Sequence, residues 1–398
     1  MNFLINLPIK EIKNGSRFTN LVYFLISFVT IIYVSQIYRI IFKSSDSLLL
    51  IRFTEDYVLI GLLFAIILFR GKLIVNNVAP FLIIFIYLSL NYLFAISDFD
   101  QYRRFIIMML WYTIAINALR FLQPKTFFYI IASLGILAAG TMLINVEQTI
   151  ADYVINSSRI HTEGEGMDIN INDISLILVA FLTILTVMSK NVAEIKYRNT
   201  LIFLLHICTI LILLIGSSRS ALLFYLLIVV YAFINMPIKY LIIPFLLFVT
   251  SIFAAIIFSE ELIIISRFVE FDYQTSGRIL AIQDSLSNFA DNPMFGIGEY
   301  RQEAMQIQQI GDPDHNFYTR LLGSNGIIGF ICVVTFLLGL IAPVIKDKKT
   351  KGIFLLQSFF LYSLVFSPGG PGIIIVASTI FYLSQKKNNN PNISMPIS

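Results

Sequence analysis

The chain has 398 residues, of which 57% are hydrophobic and 13% charged; its mean hydropathy is +0.82 and its net charge +4. A soluble globular domain carries about 25% charged residues, and half that density cannot cover a soluble particle of this size. The composition therefore excludes a soluble enzyme, a nucleic-acid binder and a disordered chain. At about 20 apolar residues per crossing, it predicts a polytopic membrane protein with little loop.

Twelve apolar segments follow along the chain, over 20–42, 56–69, 77–97, 105–122, 126–145, 172–189, 199–216, 220–236, 240–258, 316–343, 353–366 and 372–384. Each is read as a transmembrane helix. The second, eleventh and twelfth are short for a full crossing, and the charge pattern is the reason to keep them. With the N-terminus in the cytoplasm, the inner side carries seventeen Lys and Arg against three acids, and the outer side ten against twenty-one. Every inner loop is then net positive, as the positive-inside rule requires. An odd number of spans scrambles this sorting, so both termini are expected in the cytoplasm. The first apolar run starts near Leu21, lacks a small-residue cleavage site and is long enough to span, so no signal peptide is expected. Cys208 and Cys332 both lie in apolar runs and form neither a disulfide framework nor a CxxC motif.

The expected architecture is one membrane domain over 1–398, an all-α fold of about twelve transmembrane helices without internal repeat. Two long polar stretches fall on the outer side: 146–171 between the fifth and sixth spans, and 259–315 between the ninth and tenth. Polar groups must line any site, and these loops supply them.

Arginines on an acidic outer face each need a reason. Arg267 and Arg301 have abundant acids as salt-bridge partners. Arg219 is different, because its tight turn Gly216-Ser217-Ser218-Arg219-Ser220 has no acidic neighbour and is wedged between two spans. Such an arginine suits a phosphate or pyrophosphate headgroup, which a guanidinium grips with two charge-assisted bonds. Arg278 follows Ser276-Gly277 and opens an amphipathic helix with Ile279, Ile282, Leu286 and Phe289 on one face, ended by Asp291-Asn292-Pro293. That helix is expected along the outer membrane surface; the plainer reading of Arg278 is a snorkelling residue.

The most specific segment runs from His315 through Asn316 and Arg320 to Gly323, Gly326 and Gly329. A histidine sits where the long loop meets the tenth span, with Asp312 and Asp314 before it to raise its basicity. Three glycines at every third residue permit close backbone approach. His206, mid-span in an apolar run, reads as a packed, hydrogen-bonded residue. His161, Glu163, Glu165 and Asp168 offer oxygen-rich ligands for Mg²⁺ or Mn²⁺, although a solvated acidic loop explains them as well.

The set His315-Asn316, nine residues, Gly326-x-x-Gly329 resembles the signature of the O-antigen ligase and O-antigen polymerase family. In the same order, Ser218-Arg219-Ser220-Ala221-Leu222-Leu223 looks like its arginine turn, and Ser276-Gly277-Arg278 with Asn292-Pro293-Met294-Phe295-Gly296-Ile297-Gly298 looks like its large outer loop. Arg159 through Asn172, with Gly166 and Asn170, resembles the preceding loop more loosely, and its acid-rich Glu163-Gly164-Glu165-Gly166 departs from the pattern. The resemblance spans about 159–330.

The resemblance implies an architecture like the C-type glycosyltransferases in a bacterial cytoplasmic (inner) membrane, with the site facing the periplasm. It implies transfer of a glycan from an undecaprenyl-pyrophosphate-linked oligosaccharide to an acceptor hydroxyl, with neither metal nor cofactor. His315 is then the catalytic histidine, and Arg219 and Arg278 engage the pyrophosphate. Arg159, Asn170, Asn316 and Arg320 are assigned to substrate. A polymerase adds the glycan to another carrier-linked repeat unit, alongside a chain-length regulator; a ligase adds it to the lipid A core. The Ile-, Phe- and Asn-rich composition favours the polymerase. A transporter or flippase is a rival with the same span count. Against it, no assigned span has an acidic residue in its apolar middle, where coupling sites sit.

Overall fold

The computed structural model describes residues 3–6, 17–34, 57–66, 72–75, 78–93, 107, 110, 114–115, 117–119, 124–144, 171–191, 196–216, 219–235, 242, 246, 249, 273–310 and 316–345. In chain order the helices are α1 (Arg17–Val34), α2 (Tyr57–Ile66), α3 (Val78–Leu93), α4 (Pro124–Ile144), α5 (Ile171–Asn191), α6 (Arg198–Gly216), α7 (Arg219–Asn235), α8 (Tyr273–Asp291), α9 (Glu299–Ile310) and α10 (Phe317–Ile345). Segments 353–366 and 372–384 and the loop 146–170 lie outside the described residues. So do most of 105–122 and 240–258.

To the helices the structure adds one thing the all-α expectation lacked. Strand β1 (Phe3–Asn6) pairs antiparallel with β2 (Lys72–Val75), Phe3 opposite Val75 and Asn6 opposite Lys72. Each strand is four residues, three of them apolar, too short to be told from the flank of a span by its composition.

Two stretches, Lys125–Leu143 and Tyr318–Thr335, are long and apolar enough to cross a membrane; Phe24–Tyr33, Tyr57–Ile66, Ile174–Met188, Arg198–Leu213 and Ala221–Tyr231 are shorter apolar helical stretches. Pro124 opens α4, where its missing N–H has no helical partner to lose. At the centre lies α5, which packs on α4, α6 and α7. Its residues from Ile174 to Met188 are buried on every side, including Ser175, Thr183 and Thr186. The hydroxyls of Thr183 and Thr186 donate to the carbonyls of Val179 and Leu182, each at 2.7 Å. These two hydroxyls are thus carried into the core with a backbone acceptor one turn back.

The outer faces carry the opposite chemistry. Leu223, Leu227 and Val230 form a stripe on α7 that is 50–58% exposed. On α3, Leu82, Phe85, Ile86 and Leu93 are exposed as well. Continuous apolar stripes of this kind are unfavourable in water and favourable against acyl chains. Together with the two long apolar stretches, they describe a helical membrane protein.

A second group forms around α10, which packs on α3, α8 and α9. The amphipathic helix α8 also pairs with α9. Its apolar residues Ile279 and Leu286 are exposed, as expected, but the opposite face is packed through small and polar residues. Gln302 donates to Ser285 Oγ at 2.7 Å. Gln306 Nε2 lies 3.1 Å from Ala281 O, 3.0 Å from Asp284 Oδ2 and 3.0 Å from Ser285 Oγ. Ala281, Ser285, Gln302 and Gln306 are all buried. A seam of amide and hydroxyl groups holds the helices together where a soluble pair shows leucines.

Candidate functional site

Of the elements that bear the sequence candidates, α8 and α10 pack on each other. Asn316 precedes α10 and its Oδ1 accepts from Tyr318 N at 3.0 Å, while its carbonyl accepts from Arg320 N at 2.9 Å. It is the N-cap, which explains an amide-bearing residue directly after the histidine. Arg320, one turn on, is ion-paired with Glu303 of α9 at 2.9 Å, its side chain 20% exposed. Both residues assigned to substrate therefore also have structural work: Asn316 starts the helix, and Arg320 ties it to α9.

Three turns into α10 the helix breaks. Gly326 has φ 62° and ψ −169°, a conformation essentially restricted to glycine. Into this break fits Asn292–Gly298, the segment that joins α8 to α9. Ile297 N donates to Gly323 O at 3.1 Å and Gly298 N to Ser324 O at 2.8 Å. In return Ile327 N donates to Pro293 O at 2.8 Å and Ile328 N to Met294 O at 3.3 Å. A Cβ on Gly326 would collide with the Met294 carbonyl, and one on Gly296, where φ is +69°, with the Ser324 backbone. The close approach expected of the glycine triplet is thus a backbone-to-backbone latch. Its two sides, 292–298 and 323–329, are two of the stretches that carried the motif resemblance.

The latch fixes which candidates share one body. Arg278 lies in the second turn of α8, whose far end leads into the latch, and His315 directly precedes the cap of α10. Arg219 is the first residue of α7, separated from the end of α6 by two residues. A helix N-terminus adds its own partial positive charge for an anion. His315, Arg159, Asn170, Arg267 and the acidic group His161, Glu163, Glu165 and Asp168 lie outside the described residues. Arg301 is exposed on α9. His206, by contrast, is fully buried on α6, and its Nδ1 lies 3.0 Å from the Tyr225 hydroxyl on α7; it is the packed, hydrogen-bonded residue its apolar surroundings predicted.

Sequence reasoning missed Tyr87. Its hydroxyl donates to Asn325 O at 2.8 Å, across 238 residues of sequence. Nothing in an apolar third span singles out one tyrosine among several. It also missed α9 and the Gln302–Gln306 pair, although Gln302 and Gln306 at a spacing of four are a legible polar stripe.

With this geometry in view, residues 204–334 match the family described as O-antigen ligase. The match covers about a third of the chain and takes in Arg219, Arg278, His315, the latch and the glycine triplet. The resemblance to the O-antigen ligase and polymerase family holds over this stretch. No curated protein matches the chain.

Proposed function

We propose that the protein transfers a glycan from an undecaprenyl-pyrophosphate-linked donor to an acceptor hydroxyl, at a site on the outer face of a bacterial inner membrane. The observation that carries this reading is the latch. It fastens the helix of Arg278 to the helix that His315 and Asn316 lead, all within the matched stretch. The pairing of β1 with β2 supports the sidedness, because it brings the N-terminus and the residues before α3 together as the charge sorting requires.

In this reading the acceptor oxygen attacks the anomeric carbon of the donor sugar. His315 takes the hydroxyl proton as general base, a role worth about 10²–10⁴-fold. The bond from the anomeric carbon to the phosphate oxygen breaks, and the electron pair leaves with the carrier pyrophosphate. Arg219 and Arg278 stabilise the charge that develops there, while Arg159 and Asn170 complete the contacts to substrate. The carrier linkage supplies the energy, so no nucleotide is consumed.

Within that chemistry the proposed reaction is polymerisation: the acceptor is another carrier-linked repeat unit, and a chain-length regulator is the expected partner. The family description itself names a ligase, which favours transfer to lipid A core as the second reading. Deletion of the gene, followed by lipopolysaccharide electrophoresis, separates them. Core plus one repeat means polymerase; bare core with long polymer retained on the carrier means ligase. Complementation with His315→Ala tests the transferase reading itself. The variant should insert normally and restore nothing, and full restoration removes the histidine from the mechanism.

A further inference from the structure

The break at Gly326 frees backbone groups on both of its sides, and inside a membrane each of them needs a partner. Two amides, Ile327 and Ile328, donate to Pro293 and Met294. Three carbonyls, those of Gly323, Ser324 and Asn325, accept from Ile297 N, Gly298 N and the Tyr87 hydroxyl. Four of the five partners are backbone groups of the latch. The fifth is a side chain from α3. Tyr87 is buried, and a Cβ on Gly329 would strike its hydroxyl, so α3 and α10 touch at this point without room for a methyl group.

We infer that Tyr87 is a positioning residue for the reaction: by capping the last carbonyl of Phe317–Asn325, it sets the direction of the short half-helix that His315 leads. The inference rests on the reading of His315 as general base. Without the hydroxyl, the Asn325 carbonyl loses the donor that α3 supplies in a buried setting, and the half-helix shifts to compensate. Tyr87 itself touches neither sugar nor pyrophosphate in this scheme. Its effect passes through the break to the base, while the arginines on α7 and α8 keep their hold on the donor. Turnover is then the sensitive quantity and donor affinity the insensitive one.

The test is Tyr87→Phe in the full chain, purified into lipid nanodiscs and assayed with lipid-linked repeat units beside wild type and His315→Ala. Hydrogen exchange of peptides covering 293–298 and 320–328 reports the latch independently of activity. We expect faster exchange in both peptides. A displacement of about 1 Å at the base costs about 100-fold in kcat, with KM for the donor within about twofold. Wild-type exchange in Tyr87→Phe overturns the inference whatever the activity. So does a raised KM with unchanged kcat, which places the residue in binding, or normal turnover per folded molecule, which marks it as structural only. If His315→Ala stays active, the transferase reading fails instead, and the exchange data still stand or fall alone. Where Tyr87→Phe yields too little folded protein, Gly329→Ala perturbs the same contact from the other helix and should give the same kcat loss. The double variant, with the hydroxyl gone, should be less impaired than Gly329→Ala, and strict additivity overturns the contact.

Discussion

Replacing Gly326 with alanine asks whether the break in α10 is built or incidental. Two separate costs follow from the structure. The backbone at φ 62°, ψ −169° is a region where a residue with a Cβ is strained by about 1–3 kcal/mol. The new Cβ also falls on the Met294 carbonyl and within 2.6 Å of Phe295 N. Those are backbone atoms, which no rotamer change can move aside. Relief requires opening the latch, and the amides of Ile327 and Ile328 are then left without acceptors at about 1–3 kcal/mol each. The total is about 3–9 kcal/mol, or a drop of about 4–11 °C in apparent melting temperature for a chain of this length. The measurement is thermal unfolding of purified protein in detergent. Gly61→Ala is the control: its Cβ meets nothing within 4 Å, and alanine favours a helix over glycine by about 0.5–1 kcal/mol. If Gly326→Ala melts with or above Gly61→Ala, the latch does not hold the break and the argument from it is wrong.

Three further outcomes are expected. Tyr225→Phe leaves the buried His206 Nδ1 without its partner and should cost about 1–3 kcal/mol, while the double change with His206→Phe removes both polar groups and should recover much of the loss in the same melting assay. Exchanging the ion pair, Arg320→Glu with Glu303→Arg, should restore the stability lost in either single variant, a loss of about 1 kcal/mol or less for a partly exposed pair. If glycan transfer stays absent in that double variant while stability returns, Arg320 acts on substrate as well. Asn316→Ala removes the cap and should lower stability by about 0.5–2 kcal/mol, and Asn316→Asp, which can still accept from Tyr318 N, should restore it; an Asp variant that is stable but inactive assigns the amide nitrogen to substrate.

The helices of the membrane region were legible because apolar runs of span length have one stable solution in lipid. The runs 126–145, 172–189, 199–216 and 220–236 differ from α4 to α7 by two residues or fewer at each end. The His315–Asn316 junction and the glycine triplet were legible as well, since only close approach explains glycine at 323, 326 and 329. What fills that space was not readable. A helix break is invisible when apolar residues continue on both sides, and the partner segment lies some 30 residues upstream with turn-like composition. The packed face of α8 was not readable for a related reason. Apolar periodicity picked the face of Ile279 and Leu286, which is exposed, and was silent on Ala281 and Ser285, which are packed, because in a membrane setting small and polar groups make helix contacts and leucines face outward.

The latch also has a history in time. When α10 enters the bilayer, the groups around Gly326 take partners from outside their own helix, and each left bare in lipid costs several kcal/mol. Their partners are Asn292–Gly298 and Tyr87, all of which precede α10 in the chain. Synthesis from the N-terminus therefore delivers the receptor before the helix that needs it. The broken helix is the last piece of its group to be made and can close on a surface already waiting. Moving the segment behind α10, as in a circular permutation, would ask the membrane to hold an unsatisfied helix until its partner arrived.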